Sequence, residues 1–571
     1  MPGEAVTLQL GHYSGCVGAH WWGLQAAALR SAPEPAELRA AALLRFGRRP
    51  QSPTPRLVAL ELKGGVGSLR TDGAGTEPPV SWDGAVADYR ERAPGGDTGS
   101  RRVSAAAGPH RDTSGDEAKR PVTGIVAVGR RCRGREGSPG AARPVPAGAQ
   151  DTPSVRLWSD YLNVQLHPKS VYVIRQYLHD GDCGSLEAFG QGESLLQDPA
   201  CLEELEDRLH FYVEECDYLQ GFQVLCDLHN GFSGVGAKVT ELLHDEYSQK
   251  GILTWGLTPV LTAVGDPQNS FYRLMNTALG IAHLSRHSSL FCPMSLSGSL
   301  GIKPEPPVTF PYIKYEASLN YHSSAILAAA LDTLTAPYRL WSSQGSMMHF
   351  ADSLTFSGRK VVAAWAALPF PALSGSSLPD ILSAHQQDVP WKPLSSWREQ
   401  KVSCCFAQSV VLRGICQEKA TSSCPGQPQS PLHSCESPEE VLQQFLHTQF
   451  PGAFSTSHVL QQPCDTRPPF PQFFSPLLTR RGFLLDKAQG CSSGGVESLP
   501  VLAALQSSPC LHSLLSGLCR ELRAPKVRRC SSFFTAGVEQ GDFQEALEEL
   551  KTLAQCYETG FGASEDEADS D

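Results

Sequence analysis

The predicted fold rests on the stretch Leu219-Gln220-Gly221-Phe222-Gln223, which is followed by Gly231-Phe232-Ser233-Gly234-Val235-Gly236. Residues 221–228 read as a strand, residues 230–236 as a glycine loop, and residues 237–247 as a helix. Backbone N–H groups at such a helix start favour an anion such as phosphate. The loop is not a P-loop, because Ala237 separates Gly236 from Lys238.

Strands and helices alternate on both sides of that stretch. Near the N-terminus, a strand over Val6–Leu10 leads into a glycine-bearing loop, Gly11–Gly18, and then into a predicted helix, Ala19–Leu29. Further strands are predicted at Leu57–Leu62 and Ile252–Trp255. This alternation predicts a doubly wound α/β fold, in which ligands bind at the carboxyl ends of the parallel strands.

The composition is that of a folded protein without a large nucleic-acid interface. Of 571 residues, 41% are hydrophobic and 19% are charged, and the formal net charge is -11. Because a nucleic-acid footprint needs a basic face, we expect no nucleic-acid partner. The 18 cysteines form no C-x-x-C pair and are expected to be reduced thiols. No apolar stretch reaches the roughly 20 residues that span a bilayer, so membrane association is expected to be peripheral.

Residues 89–150 interrupt the alternation. No aromatic residue lies between Tyr89 and Trp158, and the segment is rich in Arg, Gly, Pro, Ala and Ser. Such a composition cannot offset the entropy of ordering, so a disordered, solvated insertion is predicted. Its basic character leaves RNA binding as an alternative, and an aberrant exon is a third.

The strand and glycine loop resemble the tubulin signature, in which a Leu-Gln-Gly-Phe-Gln strand leads to a Gly-Gly-Gly-Thr-Gly-Ser-Gly loop around the nucleotide phosphates. The loop here is degraded, because one glycine is missing and His229, Asn230 and Phe232 replace small residues. Gln9–Trp22 resembles the first loop and helix of tubulins, with Tyr13 in place of a cysteine. The resemblance implies that the phosphates of GTP or GDP would meet Gly11, Gly18, Gly231, Ser233, Gly234 and Gly236.

Two asparagines match tubulin positions that contact guanine. Leu274–Leu284 resembles the Pro-Tyr-Asn-Ala-Thr-Leu helix and places Asn276 on the first position. Leu319-Asn320-Tyr321 resembles Leu-Asn-His and places Asn320 on the second. An amide both donates and accepts, which suits a purine edge, but each asparagine also fits a helix cap or a satisfied polar group.

The chain departs from tubulins where catalysis would occur. Tubulins carry Asp-Leu-Glu-Pro near the metal and phosphates, whereas this chain has Glu61-Leu62-Lys63-Gly64. Lys63 would contact phosphate directly and disfavour Mg²⁺. In place of the catalytic Leu-Asn-Ala-Asp loop stands His349-Phe350-Ala351-Asp352, so Asp352 is the one degenerate catalytic candidate. We therefore expect weak or absent GTP or GDP, no metal site and no GTPase activity.

Three further blocks resemble the Misato family and not α- or β-tubulin. They begin at Val155-Arg156-Leu157-Trp158, Glu187-Ala188-Phe189-Gly190 and Leu205-Glu206-Asp207-Arg208. This divergent branch of the tubulin/FtsZ superfamily implies a cytoplasmic protein at the outer face of mitochondria that controls mitochondrial distribution, morphology, fusion and network formation. The implied partners are outer-membrane or fusion-machinery proteins, with tubulin or other cytoskeletal proteins as further partners.

Three functional hypotheses follow from this resemblance. The favoured one is a non-polymerising tubulin-like protein that acts by binding and is not an enzyme. The main alternative is a working GTPase or a filament-forming cytoskeletal or spindle protein. A scaffold that binds no nucleotide is the third.

The predicted fold is a tubulin/FtsZ-like doubly wound domain, a smaller α+β domain and C-terminal helices. The last helix, predicted over Phe543–Tyr557, either docks on its own domain or offers partners an acidic strip together with the tail. The predicted segments are 1–88 and 151–340 for the nucleotide-binding domain, 89–150 for the insertion, 341–525 for the intermediate domain, and 526–571 for the last helix and acidic tail.

Overall fold

Six parallel strands form the larger sheet of the computed structural model. In chain order they are β1 (Glu4–Leu10), β2 (Leu57–Lys63), β3 (Val171–Leu178), β4 (Leu219–Asp227), β5 (Gly251–Leu257) and β6 (Leu290–Met294). Their order across the sheet is β3-β2-β1-β4-β5-β6. The chain therefore reverses direction across the sheet between β1 and β4, and open α/β sheets bind ligands at such a switch point.

The structure describes residues 3–31, 36–46, 53–67, 155–179, 184–260, 267–302, 305–342, 345–385, 388–396, 404–415, 431–485, 495–522 and 531–559. The insertion predicted at 89–150 and the acidic tail after residue 559 lie outside these ranges. None of the described helices combines the length and the apolar composition of a membrane span.

The α-helices of the described part are numbered in chain order. They are α1 (His12–Arg30), α2 (Phe189–Leu195), α3 (Pro199–Glu214), α4 (Phe232–Glu246), α5 (Pro267–His287), α6 (Asn320–Leu334), α7 (Met347–Leu354), α8 (Leu378–Ser383), α9 (Pro438–Gln449), α10 (Cys510–Glu521), α11 (Ser531–Thr535) and α12 (Gln540–Gln555).

Helices α1 and α4 cover opposite faces of the large sheet. A Cβ at Gly18 on α1 would lie 1.9 Å from Nε2 of Gln9, and a Cβ at Gly236 on α4 would lie 2.4 Å from Sγ of Cys226. Because Cys226 pairs with Leu10, the neighbour of Gln9, the two contacts fall on opposite faces. Because helices cover both faces of the sheet, nearly every residue of β1 and β4 is buried.

A second, mixed sheet follows the first along the chain. Its strands are β7 (Ala363–Ala367), β8 (Lys392–Pro393), β9 (Ala407–Arg413), β10 (Phe454–Leu460) and β11 (Val501–Ser507). Their order is β8-β7-β11-β9-β10, and only β9 and β10 run parallel. Helix α6 contacts both β9 and β11, so it links this sheet to the helical layer that contains α1.

A buried ion cluster holds these layers together. Asp332 on α6 pairs with Arg413 at the end of β9 and, at 2.9 Å, with Nη2 of Arg339. Gln25 of α1 accepts a 2.7 Å hydrogen bond from Nη1 of Arg339. Burial alone would raise the pKa of Asp332, but Arg413 and Arg339 hold it below its ordinary value.

The C-terminal helix α12 packs against α5 and α10, whereas the acidic strip that it was predicted to offer together with the tail stays a prediction. Leu550 is fully buried, and Leu547 and Leu553 pack against the same core. Beyond the helix, the hydroxyl of Tyr557 donates a 2.6 Å bond to the carbonyl of Val361. Arg286 of α5 forms an ion pair with Glu549 on the outer side of α12.

The structure confirms the doubly wound parallel sheet and the strands predicted for it, but corrects two predicted loops. Residues 11–18 were predicted to form a loop, but α1 begins at His12. Residues 230–236 were also predicted to form a loop, but α4 begins at Phe232. Gly15, Gly18, Gly234 and Gly236 lie inside these helices, where they let a neighbouring group approach closely. Glycine spacing alone does not distinguish that use from a loop.

We predict that Arg413→Met lowers the free energy of unfolding by about 3–5 kcal/mol, because Asp332 loses a charge partner in a buried site. Urea denaturation at neutral pH measures this change. Arg480→Ala is the control, because the Arg480–Glu497 pair is exposed and should leave stability unchanged.

The stability that Asp332 contributes should depend on pH. Because its folded-state pKa is depressed, the contribution is complete above the ordinary aspartate pKa of about 3.9 and is lost as pH falls below it. The difference in unfolding free energy between the wild type and Asp332→Asn should therefore shrink on acidification. An unchanged difference at acidic pH would contradict the paired state of the carboxylate.

Candidate functional site

The switch point brings the end of β4 against the first turn of α1. One oxygen of the Asp227 carboxylate accepts hydrogen bonds from the backbone N–H of Ser14 at 2.7 Å and from its hydroxyl at 2.6 Å. The other accepts the N–H of Tyr13 at 3.0 Å. The backbone N–H groups at this helix start, which would otherwise favour a bound anion, therefore donate to a carboxylate of the protein itself.

Gly11 is required by this contact. Its φ of +107° lies in the region that favours glycine, and a Cβ there would lie 2.5 Å from Oδ2 of Asp227. The sheet register supports the arrangement, because Leu10 pairs with Cys226 and the next residue, Asp227, points to the face that carries α1. The carboxylate of Asp227 therefore accounts for a glycine at position 11, and no bound nucleotide is needed to explain it.

Asp227 is completely buried, and its electrostatics follow from that position. Burial raises the pKa of its carboxyl group to about 7, although the donors of Ser14 and Tyr13 act in the opposite direction. The nearby carboxylate of Glu61 also raises it. A phosphate brought to this turn would meet the buried Asp227 carboxylate, which is unfavourable.

The second glycine segment also has its donors satisfied. The N–H of Gly231 donates to the carbonyl of Leu186 at 3.0 Å, and the N–H of Phe232 to Oδ1 of Asn230 at 3.0 Å. Both the N–H and the hydroxyl of Ser233 donate to the carbonyl of Asn230, at 3.1 Å and 2.7 Å. The start of α4 is therefore capped from within the protein.

The glycines at this start serve close helix packing. A Cβ at Gly234 would lie 2.0 Å from the carbonyl oxygen of Phe189, and a Cβ at Gly192 would lie 1.9 Å from that of Gly231. Helices α2 and α4 thus approach each other backbone to backbone. Packing against α2 therefore accounts for these glycines.

The two predicted guanine-contacting asparagines lie in different surroundings. Asn276 is fully buried; its Oδ1 accepts the N–H of Phe189 at 2.8 Å, and its Nδ2 donates to the carbonyls of Glu187 at 2.6 Å and His229 at 3.3 Å. Its amide therefore holds the α2 segment against the loop before α4. Asn320 is exposed as the first residue of α6.

The structure joins Gly234 and Asn276 at Phe189: a Cβ at Gly234 would lie 2.0 Å from its carbonyl oxygen, and Oδ1 of Asn276 accepts its N–H. Gly11 lies against Asp227, two residues before His229, whose carbonyl accepts a hydrogen bond from Nδ2 of Asn276. Two other predicted positions are exposed. Lys63 is exposed at the end of β2. Asp352 is exposed on α7, whose Met347 packs against Gly251, the first residue of β5. Asp352 therefore lies toward the amino ends of the strands, away from the switch point.

Sequence reasoning missed Asp227 and the role of Tyr13. The hydroxyl of Tyr13 donates to Oγ of Ser323 at 3.1 Å, so this side chain spans from α1 to α6. A usable signal was present, because Asp227 is an acid that directly follows the apolar run Val224–Cys226 at the predicted carboxyl end of a strand. The described residues around the two helix starts do not fit a tightly held guanine nucleotide.

Comparison with known proteins shows what the chain is similar to. A family model described as a tubulin domain matches residues 147–340, and one described as a Misato Segment II tubulin-like domain matches residues 3–108. The chain is 49% identical to Protein misato homolog 1 of Bos taurus and of Homo sapiens, with 98% of each chain covered. It is 28% identical to Protein misato of Drosophila melanogaster, over 97% of this chain and 98% of that protein. These matches confirm the tubulin-like fold.

Gly192→Ala is predicted to lower the free energy of unfolding by about 1–3 kcal/mol, because the added methyl group overlaps the carbonyl of Gly231 and forces α2 away from α4. Thermal and urea unfolding measure the change. Gly517→Ala is the matched control: it lies within α10 with no atom near its Cβ position, and should be stabilising by about 0.5–1 kcal/mol. Equal effects at both positions would contradict the backbone contact.

Proposed function

The chain belongs to the Misato family of tubulin-like proteins, and we propose that it acts as a tubulin-like binding protein that neither hydrolyses GTP nor polymerises. In this proposal the fold supplies a rigid body with surfaces for protein partners. Guanine nucleotide is weakly bound or absent. The proposal rests on the chemistry of the two helix starts and on two substitutions in the catalytic segments.

The observation that carries the proposal is the Asp227 carboxylate at the first turn of α1. It engages the N–H groups of Tyr13 and Ser14, which a phosphate would otherwise accept from. A nucleotide would have to displace a buried acid and leave it without partners, which is costly. The internal capping of α4 by Asn230 supports the same conclusion at the second helix start.

Two positions argue against hydrolysis. By resemblance, Lys63 replaces the second acid near the metal, and a lysine there disfavours Mg²⁺. Asp352 keeps its carboxylate, but its neighbours Phe350 and Ala351 are buried apolar residues that cannot orient a water. Hydrolysis needs both charge neutralisation and a positioned water.

By resemblance to the family, we propose that the protein works in the cytoplasm and at the outer face of mitochondria. There it would control mitochondrial distribution, morphology, fusion and network formation. Its proposed partners are outer-membrane or fusion-machinery proteins, with tubulin or other cytoskeletal proteins as further partners. Its membrane association would be peripheral, through those partners.

One observation favours the alternative of a working GTPase or filament-forming protein. Asp352 is exposed on α7 at the edge opposite the switch point, where a neighbouring subunit would meet it in a head-to-tail assembly. The following experiment separates this alternative from the binding protein.

We predict that the purified full-length chain carries well below one equivalent of guanine nucleotide. Denaturing release followed by ion-exchange chromatography measures this amount. Asp227→Asn removes the buried charge and should raise GTP affinity by about tenfold, whereas Asp352→Ala should leave it unchanged. Stoichiometric GTP or GDP, with magnesium-dependent turnover abolished by Asp352→Ala, would establish the GTPase instead.

The cellular role has a separate test. In cells depleted of their own family member, the wild-type chain and Asp352→Ala are both expected to restore the mitochondrial network, measured as branch length and fusion rate. The reason is that binding, and not hydrolysis, carries the proposed activity. Gly192→Ala, which weakens folding, is expected to restore less. A stable Asp352→Ala protein that fails to restore the network would overturn the non-catalytic role.

A further inference from the structure

A cluster of two histidines and one glutamate lies beside the switch point, and the proposed function does not use it. His12 is the first residue of α1, Glu61 lies near the end of β2, and His179 directly follows β3. Nδ1 of His12 lies 3.1 Å from Oε2 of Glu61, and the rings of His12 and His179 are 4.0 Å apart. The carboxyl ends of three adjacent strands thus bring these side chains together.

We propose that His12, Glu61 and His179 bind a divalent transition-metal ion, for which Zn²⁺ is the best match. Their ligand atoms all lie within 4.8 Å of one another. Small side-chain rotations would let one ion contact all three, since zinc lies about 2.0–2.2 Å from nitrogen and oxygen ligands. Two imidazoles and one carboxylate are a donor set that suits zinc better than Mg²⁺, which prefers oxygen ligands.

The surroundings of Glu61 are those of a positioned metal ligand. Its side chain is 1% exposed, Oε2 accepts a 2.9 Å hydrogen bond from Nε1 of Trp158, and Oε1 accepts one of 2.9 Å from the N–H of Leu62. Such hydrogen bonds orient ligating carboxylates and tune their affinity. The backbone N–H of His179 donates to the carbonyl of Lys63, which ties the third ligand to the end of β2.

An ordinary ion pair explains less of this geometry. It accounts for His12 and Glu61, whereas a metal ion would also engage His179, whose ring lies 4.0 Å from that of His12. The ion would join α1, β2 and β3 through protein ligands alone, so the site does not require a bound nucleotide.

The test uses the full-length chain, purified without a histidine tag and stripped with a chelator. Zn²⁺ is then titrated in competition with a chromophoric chelator. The expected result is one tightly bound equivalent, with a dissociation constant below about 1 μM and a raised melting temperature. Co²⁺ supplies a second readout, because nitrogen ligands in a four- or five-coordinate site give strong visible absorption.

Each ligand variant should lose affinity. His12→Ala, His179→Ala and Glu61→Gln are expected to weaken Zn²⁺ binding by at least about tenfold and to abolish the Co²⁺ absorption. If His12→Ala does not fold, His12→Gln keeps a polar side chain of similar length. His244→Ala is the control, because it removes one member of another close histidine pair, with His287, on the helix surface. Absence of binding to the wild type, or unchanged affinity in His12→Gln and His179→Ala, would overturn the metal site.

Discussion

The contact between the Asp227 carboxylate and the first turn of α1 is the constraint around which the site is built. It depends on the register of β1 and β4, which pairs Leu10 with Cys226 and turns the next side chain toward α1. It also demands glycine at position 11, for both the backbone angle and the space. A one-residue slip would point the carboxylate at the face covered by α4 and leave it unpaired in the core.

A glycine-rich segment at a helix start can either bind phosphate or allow close packing. Its N–H groups are available to phosphate only if the protein itself offers them no acceptor. Gly231 and Gly234 stand in a segment that resembles a phosphate loop, yet their N–H groups are bonded to backbone carbonyls of the protein. Their missing side chains admit α2 at backbone contact distance. The tubulin-like fold is thereby retained while the groups that would hold a nucleotide are redirected inward.

Much of the fold could be predicted from sequence, because buried strands and amphipathic helices are local patterns. The contact of Asp227 with α1 and the Asp332–Arg413 pair could not, because each joins segments that strand register and helix packing bring together. Helix starts were misplaced for a related reason: glycine weakens a helix locally, and only the neighbours that approach Gly18 and Gly236 explain why it is kept there. The cluster of His12, Glu61 and His179 could not be predicted either, because its members come from three distant segments that the sheet brings together.

These arrangements bear on how the protein would be regulated under the proposed function. A nucleotide switch requires that a phosphate bind one conformation better than another, through N–H groups that become free or engaged. Here the donors at the starts of α1 and α4 are engaged by Asp227, Asn230 and backbone carbonyls. A γ-phosphate would then bind two conformations of the protein with nearly equal affinity, so it could not shift the equilibrium between them. The protein would accordingly present its surfaces constitutively, and its activity would be set by the supply and location of its partners.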